Sequence, residues 1–116
     1  MGDKREKASA LEACLGKNQS LVKLVAYAVD SIVSKTILDK SAGTVTLFAF
    51  DKGQKLSEHT APYDAIIQVL DGVGQITIDG HANDVCAGEI IIMPANVPHA
   101  VVAEEKFKML LIMVRA

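Results

Sequence analysis

Up to about Ala28 the apolar residues of this chain recur with a period near 3.6, and from Val29 onward they recur with a period of two. The change predicts a helical extension over residues 1–28 followed by a strand-rich domain over residues 29–116. Within the extension, residues 3–15 put Ala8, Leu11 and Leu15 on one face and stop at Gly16, where a C-terminal cap belongs. Asn18 or Ser20 can cap a second helix, because Leu21, Leu24, Val25 and Ala28 keep the amphipathic spacing. That helix is of marginal length and needs a surface to dock on.

The remainder reads as about nine or ten short strands with turns every eight to twelve residues. Ile32-Val33 and Ile37-Leu38 flank a polar stretch. After the turn at Ser41-Ala42-Gly43, residues 44–50 alternate, with Val45, Leu47 and Ala49 opposite Thr46, Phe48 and Phe50. Asp51-Lys52-Gly53 is the next turn, and a strand carries Leu56 to Thr60 before Pro62 breaks it. Ala65 to Leu70 is apolar almost throughout, and Val73 to Asp79 alternates into Asp79-Gly80, the strongest hairpin signal in the chain. Asp84 to Cys86, Ile90 to Met93, Ala100 to Ala103 and Phe107 to Val114 complete the set. This spacing indicates an all-β, antiparallel sandwich or barrel in one domain.

The last strand is apolar on both faces, with Met109, Leu111 and Met113 on one and Leu110, Ile112 and Val114 on the other. An antiparallel strand normally leaves one face wet. The N-terminal helices, a second copy of the chain, or both are expected to cover the other face, and a homodimer is the favoured assembly.

Composition narrows the function classes. A net charge of -2 with 22% charged residues leaves no basic stripe for nucleic acid. No apolar run is long enough for a membrane span, and the start of the chain lacks a signal peptide's apolar core, so the expected compartment is the cytoplasm. Cys14 and Cys86 stand outside any CxxC spacing and are not expected to pair. Cys86 reads as a small buried hydrophobe, and His81, next to Asp79-Gly80, as an exposed turn residue.

Candidate chemistry is concentrated between Gly53 and His99. Gly53, His59 and Gly72 fall in register with a motif of Gly, five residues, His-x-His, three or four residues, Glu, six residues, Gly. Gly88, Pro94 and His99 match a second, of Gly, five residues, Pro-x-Gly, two residues, His, three residues, Asn. These two stretches resemble the paired motifs of the cupin superfamily, and the resemblance covers roughly residues 43–114. It implies a jelly-roll-type antiparallel β-barrel with a pocket at the two histidines. Cupins with the full set of three His and one Glu hold Mn, Fe, Ni or Zn and act as oxygenases, isomerases or decarboxylases. Here Ala61 replaces the second His and Ala65 the Glu, while Asn96 and Ala103 stand where the second motif has Gly and Asn.

The residues lead to the same point. Positions two apart on a strand share a face, so Ala61 removes one prong of a two-histidine clamp. A catalytic metal typically takes three protein ligands, and two imidazoles alone hold it weakly. Asp64 and Gln68 are the candidates for recruitment as further ligands, although strict alternation from Ala65 turns Gln68 away from the pocket. The expected pocket comprises His59, His99, Tyr63, Gln68 and Met93, with Met93 and Met113 as packing. The favoured function is binding of a small molecule, with a metal weakly held or none. The alternative is a metal-dependent enzyme with His59 and His99 as ligands.

Overall fold

The computed structural model describes residues 9–115, which form ten strands in two facing antiparallel sheets. The strands are β1 (Ser9–Ala10), β2 (Ile32–Lys40), β3 (Gly43–Phe50), β4 (Lys55–His59), β5 (Asp64–Asp71), β6 (Val73–Ile78), β7 (His81–Cys86), β8 (Ile90–Met93), β9 (His99–Val102) and β10 (Phe107–Val114). One sheet has the order β1-β2-β3-β10-β5-β8 and the other β4-β9-β6-β7. The arrangement is the antiparallel all-β architecture that the period-two pattern and turn spacing imply, in the jelly-roll form that the cupin resemblance implies.

Turn chemistry sets the registers. Asp79 and Gly80 both take positive φ, 51° and 81°, the backbone that a two-residue primed turn requires. Ile78 consequently faces His81, and β6 pairs with β7 along its whole length. The polar stretch between Ile32-Val33 and Ile37-Leu38 does not interrupt β2, which runs continuously against β3 with one register shift between Thr36 and Leu38.

Alternation sorts side chains into two clusters. Between the sheets lie Phe50, Ala65, Ile67, Val69, Ile76, Val85, Met93, Val101, Phe107 and Met109. Phe50 and Phe107 stack there with centroids 4.8 Å apart and planes 8° from parallel. On the outer face of the six-stranded sheet, Leu47, Ala49 and Leu110 pack with Val25, flanked by Leu21, Leu24 and Tyr27. The N-terminal segment thus covers part of the second apolar face of β10. Lys108 Nζ donates to the Val22 carbonyl at 2.6 Å, and the Tyr27 hydroxyl donates to Asp71 Oδ2 at 2.6 Å, which ties the segment down.

Secondary structure in this segment differs from the helical pattern. The helix expected over residues 3–15 lies partly outside the described residues. Its remainder is β1 followed by a single 3-10 turn at Glu12–Cys14. The second expected helix is only α1 (Leu21–Leu24). Helix propensity is a weak prior, and here the free edge of β2 outcompetes it: Ser9 pairs with Asp39, and the Leu11 N–H donates to the Ile37 carbonyl at 2.8 Å. Cys86 is exposed rather than buried, because it follows the inward-facing Val85, and both cysteines are free.

Candidate functional site

His59 ends β4 and His99 begins β9, and the antiparallel pairing of these strands makes the two residues Cα partners. Their rings meet edge to face with centroids 4.4 Å apart, and the Nε2 atoms are separated by 3.2 Å. Each Nδ1 faces a backbone carbonyl two residues earlier in the chain, Ser57 at 2.7 Å for His59 and Val97 at 3.2 Å for His99. A carbonyl can only accept, so an Nδ1 that bonds to it must carry its ring's proton, and the two contacts favour the Nδ1–H tautomer at both rings. In that tautomer neither Nε2 carries a proton, and two unprotonated nitrogens 3.2 Å apart call for a positive centre or a donor that both can reach. Burial pushes the His99 proton affinity below the ordinary histidine range; the Val97 hydrogen bond opposes this, and charge on His59 adds to it. His99 is 5% exposed, whereas His59 sits at the solvent side.

Behind the pair lies a cavity of about 60 Å³ lined by Leu56, His59, Ala61, Ala65, Ile67, Met93, His99, Val101, Met109, Leu111 and Met113. Of these, only the two histidines are polar. Ala65 lies on β5, next to the edge strand of the six-stranded wall, with Met93 of β8 as its Cα partner on one side and Met113 of β10 on the other. Two corners frame the mouth. Asn96 holds φ at 65°, a left-handed backbone that Asn tolerates better than most side chains, which accounts for Asn where the family motif has Gly. Its N–H donates to the Ala61 carbonyl at 2.7 Å.

Of the residues singled out from the sequence, His59, His99 and Met93 come together here, and Tyr63, Asp64 and Gln68 do not line the cavity. Gln68 is exposed on the outer face of β5, as strict alternation requires. Asp64 is exposed, and its Oδ1 accepts the Ala95 N–H at 2.8 Å, a bond that fixes the corner rather than offering a ligand. Tyr63 lies against Arg115, whose guanidinium carbon is 6.0 Å from the ring centroid. Sequence reasoning placed Met113 in packing alone and gave no site role to Met109, Leu56 or Leu111. Their shared parity on β4 and β10 was the available signal.

The family's usual divalent metal does not fit this donor set. Among the described residues no three His, Cys, Asp or Glu side chains converge on a point. The two positions that would complete the set, Ala61 and Ala65, contribute methyl groups to the cavity wall.

The comparisons with known proteins agree with this architecture. Residues 46–115 match the model of the cupin domain. A conserved protein of unknown function from Streptococcus pyogenes is 38% identical, with 86% of this chain and 88% of that one covered and a TM-score of 0.83. A cupin 2 conserved barrel domain protein from Leptotrichia buccalis is 46% identical over 81% of this chain, which spans 46% of that protein, with a TM-score of 0.79. A cupin superfamily protein from Desulfitobacterium hafniense is 26% identical, with 83% and 88% covered and a TM-score of 0.80. No curated protein matches the chain. With its two motifs, its two facing sheets and these relatives, the chain belongs to the cupin family.

Proposed function

We propose that the chain binds a small organic molecule in the barrel, with a hydrogen-bond donor group at one end of the ligand and an apolar body at the other. The observation that carries this reading is the pairing of two converging imidazole acceptors, His59 and His99, with walls that are otherwise apolar. Ligand sites commonly combine an apolar lining with a few polar groups that fix orientation. Size restricts the ligand. A cavity of about 60 Å³ corresponds to about two waters' share of liquid volume, well below the ~300 Å³ of a drug-sized site. Three methionines in the wall can repack around a guest, since each has three rotatable bonds.

The experiment is a titration of donor-headed fragments, small alcohols, phenols and amides, against protein carrying 13C-methyl methionine. The reading predicts that Met93, Met109 and Met113 shift together and that His99→Gln removes the response. A fragment set that leaves all three methyls unmoved would overturn it. A metal-dependent oxygenase, isomerase or decarboxylase is the weaker reading, because the lining supplies two of the three nitrogen or oxygen ligands such a centre typically needs. Assembly with a second copy belongs to the same proposal. Ile90 and Ile92 are 64% and 57% exposed on the edge strand β8, and an uncovered apolar edge invites pairing. Sedimentation as a monomer at micromolar concentration would remove the dimer.

A further inference from the structure

Three of the chain's four methionines, Met93, Met109 and Met113, line the cavity beside the histidine pair. Met93 and Met113 flank Ala65 from the two neighbouring strands, so thioether side chains border the position that holds no carboxylate. The opposite sheet presents the two Nε2 atoms 3.2 Å apart. Two imidazole nitrogens bound at 2.0–2.1 Å to one tetrahedral ion lie about 3.3–3.4 Å apart, so the pair already has close to the bite of a chelate. Each ring is also oriented by an Nδ1–H donated to a carbonyl, as metal-bound histidines usually are.

We propose that this cavity is a site for a soft monovalent metal ion, Cu(I), with Nε2 of His59 and His99 and the sulfurs of Met93 and Met113 as its donors. The donor set carries no charge and includes no oxygen. Thioethers select Cu(I) over the harder divalent ions. A divalent ion would bring twice the charge into apolar surroundings with no carboxylate to compensate it, and the solvation cost of an ion rises with the square of its charge. The inference goes beyond the organic-ligand reading and does not rest on it: a fragment needs the cavity's volume, and the ion needs its donor atoms.

The test is an anaerobic competition for Cu(I) between a chromophoric chelator and the full chain. It is run in a Cys14→Ser, Cys86→Ser background, because both thiols are free and would themselves take the ion. One equivalent is expected to bind. Met93→Leu with Met113→Leu, which keeps volume and apolarity, is expected to weaken it by at least about tenfold, the lower end of what even outer-shell partners contribute. Melting temperature is expected to hold in that variant, so a weaker copper site there is not a folding defect. The proposal is overturned if the parent yields all its copper to the chelator, if the leucine variant binds as tightly as the parent, or if Zn(II) binds more tightly than Cu(I). Copper failure with intact fragment binding overturns this inference alone, and fragment failure with intact copper binding overturns only the organic-ligand reading.

Discussion

Ala61→His combined with Ala65→Glu is expected to convert the cavity into a divalent-metal site. Both alanines line it together with His59 and His99, so the double variant brings three imidazoles and one carboxylate to a common space. A four-ligand structural zinc site is worth about 10–16 kcal/mol, or about 3 kcal/mol per ligand if divided evenly. Two added ligands then amount to about 6 kcal/mol, on the order of a 10⁴-fold gain in Zn(II) affinity over the parent. Without metal the same variant is expected to lose stability. Position 65 is 3% exposed, and an unpaired buried carboxylate costs several kcal/mol. Calorimetric titration with Zn(II), alongside melting curves with and without the ion, measures both effects. The expected signature is an apo form that melts below the parent and a zinc form that melts well above its own apo form. A variant that binds Zn(II) within about tenfold of the parent would refute the claim that positions 61 and 65 converge with the two histidines.

Two further perturbations address the packing and the protonation state. A Cβ at Gly74 would lie under 3.0 Å from three ring atoms of Phe107, and that fully buried ring is held by its stack with Phe50. Gly74→Ala is therefore expected to cost about 1–3 kcal/mol, read from urea unfolding; an unchanged midpoint would show that the ring can yield. For His99, the folded pKa lies below the unfolded value of about 6.5. As pH falls from that value toward the folded pKa, the unfolded state takes up a proton that the folded state does not, so stability falls with pH across this window and levels off below it. His99→Gln is expected to flatten the urea midpoint between about pH 5 and 7.5 relative to the parent. An unaltered slope would assign the dependence to other groups.

How far the residues reveal this molecule depends on whether local or nonlocal physics decides each feature. Asp79-Gly80 forces a tight turn from two backbone angles, so its hairpin is readable directly. The outward direction of Gln68 follows from alternation alone. His59 and His99 meet only because β4 and β9 pair, forty residues apart, and the spaced glycines and prolines of the two motifs are the trace of that contact. The segment from Ser9 to Leu15 departs from its helical composition because an open strand edge on β2 competes with it, which no local pattern records. Asp64 looked like a spare carboxylate, and its commitment to the Ala95 N–H depends on a corner that closes from thirty-one residues away. Met93 and Met113 carry no polar signal and read from the sequence as pocket wall and packing, since only the two-sided register at Ala65 shows that they surround one position.

The account turns on two imidazoles that present unprotonated Nε2 atoms to a common point in an apolar cavity. Long-range 1H–15N correlation of the histidine rings above pH 7 tests this directly. It predicts the Nδ1–H tautomer for both His59 and His99, with Nε2 resonances that move together when a fragment or Cu(I) is added. An Nε2–H tautomer at either ring, or Nε2 resonances that stay still while ligand binds elsewhere, would contradict it.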